Sequence, residues 1–568
     1  MRVVCIGAGP GGLYAALLLK RRHPTWEVAV LERNGLDETF GFGVVFSEPT
    51  LQRLQSGDPR FYETLLGIAQ RWDPIELRLR GGSIRCSGQG FVGVGRHALL
   101  ALLRREAEAA GVELRFHALV DPENLPEADV LVVSEGASSA VRRRLATTFE
   151  PTIEVGRSKF IWFGTTQRFE CLTFLFEASD DGAFAVHAYP FADGRSTFIV
   201  ETDDASLERA GLVHPDRNVA EQLSIAYCEK LFAAHLGGHR LLANQSRWAA
   251  FRTVRNQAWR AGRVVLIGDA AHTAHFSMGS GTKMALEDAL ALDDAFATTG
   301  DVEAALASYE AVRRPEVRKV QQASRPSLFW WETFRHSMER DLEPFAFHFL
   351  TRNLRVTRDS LVRRDPAFIA RVERWYTERC GGDATRGARG LPLEIRGLRL
   401  PDRNVSDGFI DPSAGLALLP SGAFPAQREG ALGVTLTHDE STALCDDLDR
   451  RLPSCDWLEL TLAGNARGAA IVERVRTVWK KPLSVRLLPG GRTPAEVAQR
   501  GITMAHAGAD VVTLSWAGKE QPDIVACAEA LRFTSDVRIA VDPREAEAEA
   551  DTLLLSGRAD LCLARPGS

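Results

Sequence analysis

The first twelve residues, MRVVCIGAGPGG, restrict the fold more tightly than any other stretch of the chain. An apolar strand (Val3, Val4, Cys5, Ile6) runs straight into Gly7-x-Gly9-x-x-Gly12, and an apolar helix follows from Leu13 to Leu19. The next strand, EVAVLE, ends in Glu32. Gly7 allows the tight turn, Gly9 lets backbone approach a pyrophosphate, and Gly12 lets helix and strand pack closely. The helix N-terminus offers free N–H groups to phosphate, and the Glu32 carboxylate can accept from a ribose hydroxyl. A glycine triplet alone would be weak. A strand before it, a helix after it and an acid about twenty residues on make a dinucleotide site.

At 568 residues the chain exceeds what one core supports, and about three domains are expected. A net charge of −5 gives no hint of a nucleic-acid surface. No apolar run is long enough to span a bilayer, and with a strand starting at Arg2 no cleaved leader is expected. The nine cysteines form no CxxC pair and no His/Cys cluster at metal spacing, so a reduced, cytoplasmic, metal-free protein is expected. Cys5 and Cys171 sit in apolar strand patterns and are expected to be buried small hydrophobes.

Residues 41–47 form a glycine-punctuated loop or edge strand, and a long helix is expected from Arg96 to Gly111. Segment 157–202 then switches to period-two alternation (KFIWFGTT, CLTFLFEA, AFAVHAYPF, STFIVET), the pattern of an antiparallel sheet. The α/β pattern returns at Arg263–Ile267, helical periodicity continues to about Cys380, and the Gly/Arg/Pro cluster through Pro392 reads as a linker. The fold class is α/β. A Rossmann-type domain (1–155 and 250–320) is interrupted by an antiparallel substrate sheet (156–249) and followed by a helical region (321–385). A βα-rhythmic segment, 391–568, closes the chain.

The stretch RVVLIGDAAHTAHFSMGSGTKMALEDA, from Arg263, is the second informative feature. A strand ends in Gly268-Asp269, and Gly279 and Gly281 precede a helix near Thr282, which again suits a polyol phosphate. Together with the N-terminal fingerprint, this motif resembles the single-component FAD-dependent aromatic hydroxylases. His275-Phe276 in place of the usual double proline, Lys283 in place of an asparagine, the FGFGVVFSEPT loop and HAYPF (187–191) are similar to the subgroup acting on salicyloyl-CoA and 2-aminobenzoyl-CoA. The resemblance covers residues 1 to roughly 380.

By that resemblance Gly7, Gly9, Gly11, Gly12, Glu32 and Arg33 bind the ADP half of FAD, Arg96 reaches the pyrophosphate side and Val120 gives a backbone contact to adenine. Asp269, Gly281 and Thr282 match the ribityl and isoalloxazine contacts. Glu135 stands where the family carries an aspartate, and Arg142 to Arg144 after it read as a solvated helix face. The resemblance implies NADH or NADPH docking transiently on a mobile flavin, and O2 reacting to a C4a-hydroperoxide that attacks an electron-rich ring. His275, His187 and Tyr189 are the candidate catalytic groups, holding the ring's hydroxyl or amine. For His187 and Tyr189 a satisfied sheet side chain is an equal alternative. Arg352, Arg355 and Arg358, at spacings of three, are candidates for CoA phosphates on one helical face, against an exposed arginine face paired to acids.

Beyond Pro392, LPLEIRGLRLPDRN, LSVRLLPGGRTPAEVAQRGITMAHAGADVVTLSWAG and GRADLCLARP resemble parts of an old-yellow-enzyme barrel. The remaining length falls below that of a full (β/α)8 barrel, and no paired His-x-x-His/Asn is present. A truncated, inactive remnant without FMN is expected, serving packing, dimer contacts or the CoA channel. The leading reading is a hydroxylase of an aromatic acyl-CoA thioester. A hydroxylase of a free or carrier-tethered aromatic, and a non-catalytic flavin-binding protein, are the alternatives.

Overall fold

In the computed structural model, the described residues are all of 1–568 except 37, 39–40, 280, 354, 382–383, 385–387, 410–413, 422–429, 443–454, 492, 517–522, 544–549 and 565–568. They form two compact units, Met1–Arg335 and His336–Ser568. In the first, strand Arg2–Ile6 lies inside a six-stranded sheet ordered Arg260–Ala261, Val264–Leu266, Val130–Val133, Arg2–Ile6, Glu27–Leu31, Glu113–Arg115. Every neighbouring pair is parallel except the first. Val3, Cys5 and Val130 to Val133 are fully buried, as strands covered on both faces require. Helices Pro10–Arg22 and Gly281–Thr298 approach closely, since a Cβ at Gly11 would sit 3.2 Å from Ala285 Cβ.

The second sheet of this unit has eight strands. Pro151–Thr165, Arg195–Thr202, Gly182–Ala192 and Leu172–Ser179 pair antiparallel in that order, and Ala249–Asn256 also pairs with the first of them. The sheet is wider than the alternating segment. Hairpin Ile75–Leu79/Gly82–Cys86 joins it, with Ile75–Leu79 parallel to Leu172–Phe176. One face buries Ile161, Phe163, Leu175, Phe184, Val186, Phe198 and Val200, which pack with Leu207, Cys228, Phe232 and Leu236 from the covering helices. Alternation turns Phe160, Phe174, His187, Tyr189, Ile199 and Glu201 to the opposite face. Strand Gly43–Ser47 pairs with Phe91–Gly95, making the glycine-punctuated segment part of a small three-stranded sheet.

In the second unit, helices Leu342–Leu350, Arg358–Arg364 and Pro366–Cys380 precede a closed barrel of eight strands. The strands are Asn404–Asp407, Leu416–Pro420, Ala431–Leu436, Trp457–Leu462, Leu483–Leu487, Val511–Leu514, Arg538–Val541 and Leu561–Ala564, each parallel to the next, and the last closes on the first. The expected truncation is therefore corrected: no strand is missing. The last four connections carry helices Ala466–Val478, Pro494–His506, Ile524–Thr534 and Ala550–Leu555. Inside, Glu459 is fully buried and accepts from Thr513 Oγ1 at 2.7 Å and Arg486 Nε at 2.9 Å, and Arg486 Nη2 reaches Asp407 at 2.8 Å. Among the described residues no helix is long and apolar enough to cross a membrane.

Candidate active site

Local sterics shape the N-terminal turn. Gly7 has φ +106°, and a Cβ there would lie 2.6 Å from the Ser134 carbonyl oxygen. At Gly12 a Cβ would lie 2.2 Å from the Gly7 oxygen and 2.3 Å from Ser134 Oγ. Gly9 is the open position, with only Ser134 O at 4.0 Å. It is also the N-cap of Pro10–Arg22, where no side chain caps the helix, so its first N–H groups are free for phosphate. Glu32 accepts from Ala8 N and Asn34 N, both at 2.8 Å, and so joins the two loops at the strand ends. Arg33 is exposed, and Val120 packs half-buried against the core edge.

Arg96 opens helix Arg96–Ala110 directly after strand Phe91–Gly95, and its backbone N–H donates to Phe42 O at 2.7 Å. Its Nε is buried with no hydrogen-bond partner. Burial pushes the guanidinium down from its ordinary range, and the nearby Asp269 and Tyr189 pull it back. A buried guanidinium nitrogen without a hydrogen-bond partner, an uncapped helix N-terminus and an open glycine are each suited to an anionic diphosphate. On these features the residues present suit FAD.

The second motif is held rigidly from behind. Strand Val264–Leu266 passes into the short turn Gly268–Ala270, which leaves Asp269 exposed, with Oδ1 4.0 Å from a Cβ placed on Gly281. Gly281 and Thr282 begin helix Gly281–Thr298, as expected. Asp288 on that helix is fully buried, accepts from Gly268 N at 2.8 Å, contacts His272 Nε2 at 2.7 Å and accepts from Arg313 Nε at 2.9 Å. Desolvation raises its carboxyl, but His272 and Arg313 outweigh it and hold the group down to about 2. The solvated-face reading of Arg142 is corrected. Arg143 and Arg144 are exposed, but Arg142 is 1% exposed and donates to Ala270 O at 2.8 Å, clamping the turn that carries Asp269. Glu135 accepts from Ser139 Oγ at 2.6 Å and Val141 N at 3.1 Å and so secures the start of that short helix.

Strand Gly182–Ala192 of the eight-stranded sheet carries His187 and Tyr189. The Tyr189 hydroxyl donates to Gly43 O at 2.8 Å, tying the sheet to the glycine loop, and burial pushes its phenol up. His187 is 4% exposed and lies under Trp331, with ring centroids 4.2 Å apart. His275 is 1% exposed, and its Nδ1 meets Ser277 Oγ at 2.8 Å. Sequence reasoning missed the group between them. Glu201 Oε1 lies 3.5 Å from His187 Nε2 and 3.8 Å from His275 Nε2, and the residue has no exposure. Its only signal was a carboxylate in an otherwise apolar strand, STFIVET.

Arg352, Arg355 and Arg358 do not share a helical face, which corrects that expectation. Thr357 caps helix Arg358–Arg364 through a reciprocal pair with Ser360, so Arg352 and Arg355 precede the helix. Arg352 stacks over Phe349 at 4.1 Å, Arg358 Nε donates to Glu373 at 2.9 Å, and Arg355 is exposed. Among the described residues no group of three or more His, Cys, Asp or Glu could hold a metal ion.

Comparison with known proteins agrees with the cradle. A family model described as FAD binding domain matches residues 121–324. A salicyloyl-CoA 5-hydroxylase from Streptomyces sp is 47% identical over 416 residues, 72% of this chain and 79% of that protein. A 3-hydroxy-4-methyl-anthranilyl-[aryl-carrier protein] 5-monooxygenase from Streptosporangium sibiricum is 37% identical over 61% of this chain and 93% of that protein. The solved tetrameric 2-methyl-3-hydroxypyridine-5-carboxylic acid oxygenase aligns with TM-score 0.49 at 20% identity, over 64% of this chain and 97% of that one. The two sequence relatives, 47% and 37% identical over 79% and 93% of their lengths, show that the chain belongs to the FAD-dependent aromatic monooxygenases.

Proposed function

We propose that this monooxygenase hydroxylates an electron-rich aromatic acyl-CoA thioester of the salicyloyl kind, using NADH or NADPH and O2. The observation that carries the reading is the 47% identity to the Streptomyces hydroxylase across 79% of its length. FAD, when bound, supplies the reductive activation of O2. Gly7, Gly9, Gly12 and the N-terminus of Pro10–Arg22 hold its diphosphate with Arg96, and Gly11 lets the covering helix pack. Glu32 and Arg33 serve the ribose, Val120 the adenine, and Asp269, Gly281 and Thr282 the ribityl end. His187 and His275 bind the ring's hydroxyl or amine, and Tyr189 secures the Gly43 loop. Phe174, Phe276 and Trp331 around the histidines exclude water, which keeps reducing equivalents from being lost to H2O2. Arg352, Arg355 and Arg358 are the proposed phosphate contacts of the CoA handle.

A carrier-tethered substrate is the second reading, favoured by the Streptosporangium relative. Steady-state assays of salicyloyl-CoA, 2-aminobenzoyl-CoA and benzoyl-CoA, the carrier-bound acyl groups and the free acids separate the readings. The CoA reading expects coupled hydroxylation of the hydroxy and amino thioesters with kcat/KM at least about tenfold above the free acids, roughly 1.4 kcal/mol. Equal values for thioester and free acid overturn it. His275→Ala is expected to keep NAD(P)H oxidation while a larger share of it yields H2O2, read by peroxide assay against product.

A further inference from the structure

A cavity of about 150 Å³ lies in the first unit, lined by helix Val302–Ser337, by the end of strand Ala249–Asn256 and by Ala271 and His272, which follow the Gly268–Ala270 turn. No residue assigned above to FAD, to the aromatic ring or to the CoA handle lines it. Its buried side holds Asn256, Trp259 and His272, while Glu150, Gln257 and Arg318 are exposed, so the cavity opens to solvent there. The Asn256 amide is pinned: Nδ2 donates to Ala271 O at 2.5 Å, and Oδ1 is left buried without a hydrogen-bond partner. His272 Nε2 meets the Asp288 carboxylate at 2.7 Å and therefore carries a proton, and its Nδ1 is likewise buried without a partner. In the neutral ring that nitrogen is an acceptor. Two residues 95% or more buried thus bring unsatisfied acceptors to one cavity, and O–H donors on an occupant would satisfy them.

Three guanidinium groups line the same cavity. Arg255 comes from the strand, and Arg314 and Arg318 lie four residues apart on one face of the helix. Arg255 Nη1 donates to Glu154 at 2.5 Å, Arg314 Nη1 donates to Gln257 O with its Nε 3.6 Å from Glu310, and Arg318 Nη2 donates to Gln257 Oε1 at 3.3 Å. Glu154 and Glu310 therefore offset two of the charges. Arg318 has no ion pair among the described residues, and the acid in the lining itself is the exposed Glu150. A guanidinium has five N–H donors, so an arginine held by one partner still has donors to give. Three such forks suit the several oxygens of a phosphate better than the two of a carboxylate. The walls are fixed in advance, because Gln321 Nε2 donates to Val254 O at 2.8 Å and to Thr273 O at 2.9 Å.

We propose that this cavity is a second ligand site that takes a phosphorylated ribose, its phosphate at Arg255, Arg314 and Arg318 and its hydroxyls donating to Asn256 Oδ1 and His272 Nδ1. At about 150 Å³ it is smaller than the roughly 300–1,000 Å³ of sites for drug-sized ligands, which suits a sugar phosphate and leaves the base of a nucleotide in solvent. The occupant touches the segment that carries Asp269, since Asn256 Nδ2 holds the Ala271 carbonyl and His272 follows the Gly268–Ala270 turn. The site stands apart from the substrate reading given above and does not depend on it.

Calorimetry on the FAD-saturated enzyme tests it, with ribose 5-phosphate, AMP, inorganic phosphate and ribose as probes. Ribose 5-phosphate should bind at least about tenfold more tightly than phosphate or ribose alone. The double variant Arg314→Gln/Arg318→Gln should weaken that binding at least about tenfold, while FAD content read by flavin absorbance stays as in wild type. AMP binding at least as tightly as ribose 5-phosphate assigns the phosphorylated ribose to a nucleotide, and weaker AMP binding assigns it to a free sugar phosphate; each supports the site. Absence of binding by both overturns the inference and leaves the cavity to water. An affinity unchanged in the double variant overturns it too, as does a ribose that adds nothing to the affinity of phosphate, the mark of an adventitious ion only. Should the double variant not fold, a crystal structure of the wild-type holoenzyme grown with ribose 5-phosphate decides. The sugar phosphate lying between the three arginines and Asn256 supports the site, and a cavity holding only water overturns it.

Discussion

A methyl group at Gly12 has nowhere to go. The atoms it would meet are the Gly7 carbonyl and Ser134 Oγ, and the first is backbone that cannot rotate away. Gly12→Ala should cost about 1–3 kcal/mol as an overpacked site. It should also weaken FAD binding at least about tenfold by displacing the turn beside Gly9. Thermal unfolding and a fluorescence titration of the apoprotein check both. Asp288 sets a different residue-scale expectation. Its carboxyl is held at about 2 in the fold, below its unfolded value of roughly 3.9, so its contribution is fully present above about pH 4 and is lost as pH falls through 2. The expected size is ~2 kcal/mol. Urea midpoints between pH 5 and 2 should therefore fall less steeply in Asp288→Asn than in wild type. That variant should also be less stable near neutrality, because Arg313 loses a fully buried acidic partner and keeps, among the described residues, Glu287 and Glu316.

At the scale of elements, the short helix Ala140–Arg144 shows why a departure from the family pattern is tolerable. Glu135 reaches Ser139 Oγ and Val141 N with its full length, and Ser139 in turn caps the helix by accepting from Arg142 N at 3.0 Å. Glu135→Asp, although it restores the family residue, shortens that reach. It should cost about 0.5–2 kcal/mol of cap energy and speed amide exchange over 140–144, and mass-detected hydrogen exchange would show it. The sheets show how far alternation carries. Strands 182–192 and 195–202 were readable from period two, and the same alternation puts Ile199 and Glu201 on one face. That Glu201 lies diagonal to His187 depends on register, which hydrogen bonding across strands sets. Hairpin 75–86 went unassigned because Glu76 and Arg78 interrupt its apolar pattern. In the fold Glu76 is 5% exposed and balanced by Arg78 and Arg85.

At the scale of the whole molecule, two units with separate cores invite separate tests. In the barrel, Arg486 compensates both Asp407 and Glu459. Replacing it with Met removes this cation from both interior carboxylates, a loss of about 3–5 kcal/mol. Arg486→Met should lower the unfolding transition of the C-terminal unit while the FAD content of the chain stays as in wild type, read by calorimetry alongside flavin absorbance. A loss of FAD in parallel would refute that separation. The same interior explains the misjudged barrel. Counting residues against an average (β/α)8 domain assumes average connections throughout, yet the links between the first three strands span only 408–415 and 421–430, and the eight strands still close.

Sequence alone determined what depends on neighbours along the chain. The glycine turn with its strand and helix, the Gly268-Asp269 turn ahead of Gly281, the alternating sheet and the family all rest on local sterics and periodicity, which a few consecutive residues express. Tertiary structure decided which distant groups share a charge. Arg142 became a clamp because the Ala270 carbonyl comes within 2.8 Å of it, and Glu201 became the centre of a buried pair because His187 and His275 reach it from two different elements. Electrostatic partnership falls off with distance in space, and the order of residues along a chain does not encode that distance until the fold has closed.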